Sequence, residues 1–349
     1  MSDRSLIPVS PRPSSSPASA GEKFSWARER ERWRAWWCGA SPARRFAPAL
    51  GVLAFWSAHA ALGGFRGDHG ALGLAVLALA YAGPRAEPWF RLLLPLALMG
   101  AVYDGQGYVR RALAEKLPVH VSEPAAFDRA VFGVRTSAGV LTPAEWLQRH
   151  THPALDVICG AVYLSFVPVF IGAALWMRWR GARTPGAEGA RLIREAERMT
   201  WAFFWLGLIS VVTYYLYPAA PPWYVDRYGL GPAVRNAAPS AAGAARIDAL
   251  LGVRVFAEFY GRNPNVFGAI PSLHAAIPLL AFCFAWRARV LRGLTGACAG
   301  AMAFAAVYLN HHYVLDVLWG WGYVAAIMLW VARADRAAAT RATRAAAAG

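Results

Sequence analysis

The sequence predicts an all-α membrane protein with about eight transmembrane helices, on three observations. Of its 349 residues, 57% are hydrophobic and only 16% are charged, a balance that soluble domains rarely reach. Apolar runs long enough to cross roughly 30 Å of hydrocarbon, about 17 to 25 residues each, recur along the chain. Arginines gather between those runs, so the formal charge of +16 is explained by positive-inside sorting. A nucleic-acid partner is not expected, because no basic amphipathic face with stacking aromatics carries that charge.

In chain order, residues 1–45, with "SPRPSSSPASAG" among them, read as a disordered, basic cytoplasmic leader. The leader lacks the apolar core and small-residue cleavage site of a signal peptide, so the first membrane helix must target the chain. Two accessory spans are expected within 46–88, at 46–65 and 69–84. Six more fall within 89–333, at 89–109, 157–177, 200–218, 268–286, 290–310 and 313–332. The connections at 178–198 and 287–292 are arginine-rich and therefore cytoplasmic, which leaves the long connections 110–156 and 219–267 outside. Residues 334–349 form a cytoplasmic tail. Long connections in a compact domain tend to be functional. The first contains "AFDRAVFGV", whose mixed charged and apolar residues fit a short helix lying on the membrane surface. The second opens with "YPAAPPWYVDRYGLG", where consecutive prolines stop the fifth helix, and Pro264, Gly268 and Pro271 bracket the start of the sixth. Cys38, Cys159, Cys283 and Cys298 have no metal or disulfide spacing and read as small apolar packing residues.

His274 and His312 are 38 residues apart (312 − 274), the length of one helix across, a tight arginine turn and one helix back at about 1.5 Å per residue. Both histidines therefore reach the same outer face, as does the "PPWY" end of the fifth helix. His312 and Asp316, four apart, share a helix face, so the carboxylate orients one ring nitrogen and leaves the other as a nucleophile. Ser272 follows Pro271 at a helix N-terminus, where free N–H groups favour an anion such as phosphate. His274, within a turn of that anion site, is placed to protonate a leaving oxygen. Ionisable groups at membrane depth are costly and point to function. Paired histidines also suit haem or a transition metal, but no thiolate or further carboxylate joins them at ligand spacing, so no metal or cofactor is expected. His311 either faces a neighbouring helix or lipid headgroup, or helps hold phosphate.

"PSLH" at 271–274 and "HHYVLD" at 311–316 resemble the second and third signatures of the type 2 phosphatidic acid phosphatase superfamily, whose members cleave or transfer phosphate esters without a metal. "YPAAPPWYVDRYGLGPA", "ARID", "FYGRNPNVFGAIPSLHA" and "YLNHHYVLD", in that order, resemble the inositol phosphorylceramide synthases of fungi. The likeness covers about 217–322, while 46–200 match only in having suitable helices. It implies a six-helix phosphatidic-acid-phosphatase-type core within 89–333. It implies that His312 attacks phosphorus to form a phosphohistidine, that Asp316 stabilises its imidazolium, and that His274 protonates the departing alkoxide and then deprotonates the incoming hydroxyl. The implied substrates are phosphatidylinositol, which gives up diacylglycerol, and a ceramide-like lipid, whose primary hydroxyl accepts. Hydrolysis of a lipid phosphate is the alternative.

The superfamily's lysine and arginine-proline signature is absent, and Ala306 stands where an arginine usually precedes the nucleophile. Replacement cations are expected from the outer loop: Arg262 first and then Arg227, with Arg254 and Arg235 behind them. Trp223 and Tyr224 border the expected headgroup pocket, as an aromatic wall or as plain loop anchors. The alanine- and arginine-rich composition suits a bacterium, with the site on the periplasmic face of the inner membrane. The sequence is silent on any accessory subunit.

Overall fold

The computed structural model describes residues 25–113, 116–137, 139–263 and 265–348. Most of the expected disordered stretch, residues 1–24, and the bracketing Pro264 lie outside the described residues. The helices in order are α1 (Trp26–Gly39), α2 (Pro42–Ala61), α3 (Gly67–Tyr81), α4 (Glu87–Leu113), α5 (Ser122–Phe132), α6 (Pro143–Gln148), α7 (Pro153–Arg183), α8 (Gly186–Leu216), α9 (Pro222–Tyr228), α10 (Ala245–Leu251), α11 (Val255–Gly261), α12 (Leu273–Ala288), α13 (Arg292–Tyr308) and α14 (Val314–Ala348). A small antiparallel hairpin, β1 (Val134–Thr136) and β2 (Gly139–Leu141), pairs Val134 with Leu141.

Each apolar run read from the sequence lies for most of its length on a helix. Among the described residues, three helical segments are long and apolar enough to cross a membrane: Pro153–Arg183, Gly186–Leu216 and Val314–Ala347. That finding supports a helical membrane protein without establishing the expected count of eight, because several of the other helices are short. α3, α12 and α13 have 15, 16 and 17 residues, about 22–26 Å at 1.5 Å per residue, against roughly 30 Å of hydrocarbon.

Two compact units divide the chain, residues 1–101 and 102–349. In the first, α1 departs from the expected disorder. Its Trp33 Nε1 donates to the Tyr81 carbonyl at 2.9 Å, and Trp33 stacks on Trp37 at 5.5 Å, so aromatic anchoring holds a segment whose polar residues alone read as leader. Arg44 is half-buried in an ion pair with Glu87 and sits over the Trp36 and Phe90 rings.

In the second unit, α7 packs along α8 and α13, and α12 is surrounded by α7, α8, α13 and α14. The arginine ends of α8 and α12 meet in a charge cluster: Arg287 pairs with Glu195 and Asp335 at 2.7 Å each, and Arg198 with Asp335 at 2.7 Å. At the opposite end of α12, the two long connections fold back over the bundle. Pro218 follows the end of α8, and the chain there forms bridges from His120 to Ala219 and from Ala219 to Gly268. The bonds are His120 N–H to the Pro218 carbonyl at 2.8 Å and Ala219 N–H to the Phe267 carbonyl at 2.9 Å. Both long connections and the approach to α12 are thereby fastened together. α5 is the short helix expected from "AFDRAVFGV"; it buries Pro124, Ala125 and Asp128 and packs on the start of α14.

Gly320 allows α14 to approach α12 closely. A Cβ there would lie 2.5 Å from the Ser272 carbonyl oxygen, so only glycine lets the two backbones meet at this depth.

Candidate functional site

His274 is on the first turn of α12, His312 in the loop before α14, and Asp316 on the first turn of α14. His274 Nδ1 lies 3.1 Å from His312 Nε2, and His312 Nδ1 lies 3.2 Å from Asp316 Oδ2. The three side chains form one linear relay. With Asp316 ionised and accepting, His312 Nδ1 carries the proton and Nε2 presents its lone pair, so the His274 Nδ1–H must be the donor between the rings. Asp316 is fully buried, and His312 is 6% exposed.

The loop that presents His312 is built by backbone geometry. His311 and His312 N–H both donate to the Ala306 carbonyl at 3.1 Å, closing the end of α13, and Asn310 turns the chain with φ 62°, a left-handed conformation that Asn tolerates. Two neighbours hold Asn310. Its Nδ2 donates to Asp226 Oδ2 at 2.6 Å, and its carbonyl accepts from Trp223 N–H at 3.1 Å. Two residues earlier, the Tyr308 carbonyl accepts from Gln148 Nε2 at 2.8 Å. Gln148 in turn accepts from Arg246 at 2.8 Å, and Arg246 pairs with the buried Asp156 at 2.8 Å. On the α14 side, Val314 and Leu315 N–H donate to the two oxygens of Asp128, both at 2.9 Å.

Ser272 is fully buried and is the N-cap of α12. Its Oγ accepts from Ala275 N–H at 3.3 Å, and its own N–H donates to the Asp316 carbonyl at 2.9 Å. It therefore locks α12 to α14, instead of holding both groups ready for an anion as the sequence led us to expect. His311 is sandwiched between Tyr163 and Tyr260, with centroids at 5.0 and 4.5 Å. Its Nε2 is buried with no hydrogen-bond partner. Burial, and secondarily the His312 ring, push the His311 imidazole down to about 3, so it is neutral near pH 7 and brings no positive charge to a phosphate. Tyr163 also stacks on His274 at 4.3 Å.

The remaining residues expected at the site are more dispersed. Tyr224 is fully buried in a cluster with Val121, Val266 and Phe267, and its hydroxyl accepts from Val234 N–H at 2.7 Å. Trp223 is buried in the same cluster and ties α9 to Asn310. Both pack inside the loop core. Arg262 and Arg227 are exposed on the connection between α8 and α12, and Arg227 lies over the Tyr228 ring at 5.6 Å. Neither makes a hydrogen bond to the histidine relay. Arg235 donates to the Leu117 carbonyl at 2.9 Å, away from the relay.

Sequence reasoning missed Asp128, Gln148, Arg246 and Tyr163. Arg246 and Asp128 had a weak signal, being charged residues in "ARID" and "AFDRAVFGV"; Tyr163 had none, as one aromatic among many in an apolar helix. Burial pushes the Asp128 carboxyl up to about 6, against the pull of the two N–H groups and with the Asp316 charge adding to the rise.

Residues 137–332 match the PAP2 superfamily. The phosphoinositol dihydroceramide synthase of Bacteroides thetaiotaomicron is 34% identical over 261 residues, covering 74% of this chain and 81% of that protein. The inositol phosphorylceramide synthase catalytic subunit of Schizosaccharomyces pombe is 36% identical over 183 residues, half of this chain and 39% of that protein. The inositol phosphorylceramide synthase of Candida albicans is 34% identical over 121 residues, 34% of this chain and 26% of that protein. No solved structure matches the chain. With its paired histidines and carboxylate inside the matched region, the chain belongs to the PAP2 superfamily, alongside the inositol phosphorylceramide synthases, and is a transferase of the membrane.

Proposed function

We propose that this chain moves inositol phosphate from phosphatidylinositol to the primary hydroxyl of a ceramide-like lipid, releasing diacylglycerol through a phosphohistidine. The observation that carries the reading is the His274–His312–Asp316 relay, with bonds of 3.1 and 3.2 Å. The Bacteroides relative, named for a phosphoinositol dihydroceramide product, supports the choice of donor and acceptor.

The donor's phosphorus enters between the two histidines and displaces their mutual hydrogen bond. The diester anion beside His274 favours a second proton on that ring. His312 Nε2 attacks phosphorus, the bond to the diacylglycerol oxygen breaks, and His274 gives that oxygen a proton. Asp316 stabilises the positive charge left on the His312 ring. Neutral His274 then takes the proton of the ceramide hydroxyl, whose oxygen attacks phosphorus while the phosphorus–nitrogen bond breaks. Both histidines return to their starting charge.

Ser272 contributes by fixing the start of α12 against the carbonyl of Asp316. Arg262 and Arg227 supply a positive field at the outer loops that draws an anionic headgroup, and Trp223 and Tyr224 anchor the loop beneath it. His311, neutral and with an unused acceptor, suits a substrate hydroxyl better than the phosphate. The protein is multi-pass, with a core at 89–333 and its site at the periplasmic face of a bacterial inner membrane; the arginine cluster of α8 and α12 at the far end from the histidines supports that orientation.

The purified protein in vesicles containing phosphatidylinositol, with and without ceramide, is the test. Ceramide-dependent appearance of inositol phosphorylceramide and diacylglycerol in equal amounts is expected. Release of inositol phosphate at the same rate without ceramide would make the protein a hydrolase instead.

A further inference from the structure

We infer that Asp128, supplied by the outer connection between α4 and α7, is a positioning residue for this transfer: it caps α14 from outside the helix and so reserves the Asp316 carboxylate for His312. The inference rests on the proposed role of His312 as nucleophile.

An α-helix leaves its first N–H groups without intrahelical partners, and a side chain at the N-cap usually takes one or two of them. α14 has no such cap, because Tyr313 precedes its first residue. The donors are divided between two carboxylates. Tyr313 N–H goes to Asp316 Oδ2 at 2.9 Å, the backward reach of a third-position acidic residue. Val314 and Leu315 N–H go to Asp128 Oδ2 and Oδ1, both at 2.9 Å. Asp316 Oδ2 is thus already shared between Tyr313 N–H and His312 Nδ1, and its Oδ1 has no hydrogen-bond partner.

That division is what gives Asp128 its consequence. First-turn acidic side chains compete for free helix N–H groups. Without Asp128, two donors of the first turn lack an acceptor, and Asp316, one residue beyond Leu315, is a carboxylate of the same turn able to swing toward them. Each such swing draws it from His312. Asp128 is fully buried, a costly place for a carboxylate, and the positive end of the helix dipole is the compensating field. It comes from 186 residues upstream of Val314, so the outer connection is part of the reaction's geometry and not a passive cover.

The test uses the full chain in vesicles. Asp128→Asn is expected to lower kcat about 10- to 100-fold, the cost of a slightly displaced reacting group, with KM for each lipid within about twofold. Asp128→Glu, which keeps the carboxylate, should recover part of the rate. In an Asp316→Asn background, adding Asp128→Asn should cost less than about threefold, since the carboxylate it serves is gone. Wild-type kcat in Asp128→Asn, a loss confined to KM, or a full multiplicative loss in the double variant would each overturn the inference. Should Asp128→Asn fail to accumulate, amide exchange in the wild-type protein decides. Val314 and Leu315 protected like the middle of α14 support the cap, and exchange at the rate of an open helix end overturns it. Turnover by His312→Ala would instead remove the nucleophile reading, whereas an inert His312→Ala beside a fully active Asp128→Asn removes only the role of Asp128.

Discussion

His312 can be a nucleophile only while Asp316 holds its Nδ1 proton, and the 3.2 Å bond between them is the contact on which the residue-scale predictions turn. His312→Ala should abolish transfer while the protein stays in the membrane, as read by lipid mass spectrometry after membrane fractionation. Asp316→Asn should lower kcat by about 10²–10⁴-fold, because an amide presents the wrong partner to the ring and supplies no charge; a kcat within threefold of wild type would mean the pair is structural. His311 carries a pH prediction. Its folded value of about 3 lies below the usual histidine value near 6.5, so the unfolded chain binds the extra proton as pH drops. Its contribution to stability is complete above about pH 6.5 and is lost as pH falls toward 3. A His311→Gln variant should show a shallower fall in unfolding temperature between pH 6.5 and 4.5 than wild type, measured by thermal denaturation in detergent.

At the scale of elements, the site depends on how closely α12 and α14 approach and on what holds the loop between α13 and α14. Gly320→Ala would place a methyl group 2.5 Å from the Ser272 carbonyl oxygen, and backbone cannot yield as a side chain does. Separation of the two helices should cost about 1–3 kcal/mol of stability and lower kcat by about 10²-fold through misplacement of His274 against His312; paired thermal denaturation and kinetics would check both. Arg246 holds the other side of the loop. Arg246→Ala leaves Asp156, 5% exposed, without its cation, and breaking such a pair costs about 3–5 kcal/mol, which should appear as a lower unfolding midpoint. The 38-residue spacing of His274 and His312 made their meeting legible from the chain alone, because helix rise converts sequence distance into position, whereas His312 reaches Asp316 from the loop before α14 and not from the shared helix face expected. The supporting contacts were not legible. Gln148 bonds to the loop from 160 residues away and Asp128 from 186, and no local pattern encodes a contact made by loops folding back.

For the whole molecule, the proposed reaction needs no metal, so transfer should survive dialysis against a chelator with less than about twofold change in rate; loss restored by a divalent cation would require a different mechanism. The proposed orientation makes a separate prediction. A cysteine introduced at Arg262 should react with an impermeant thiol reagent in intact cells, and one at Arg289 only after permeabilisation, with labelling read by mass shift. By itself the sequence determined the helical class, the placement of the apolar segments, the arginine-rich turns and the nearness of His274, His312 and Asp316, since composition, helix rise and sequence separation are local properties. Tertiary structure decided the rest. It buried Tyr224 and Trp223 in a loop core, turned Ser272 into a clasp between two helices, left Arg262 and Arg227 at the surface, and brought Asp128 to the start of α14. The physical reason is that each of these outcomes depends on which free N–H, carbonyl or apolar face lies opposite once distant segments have packed.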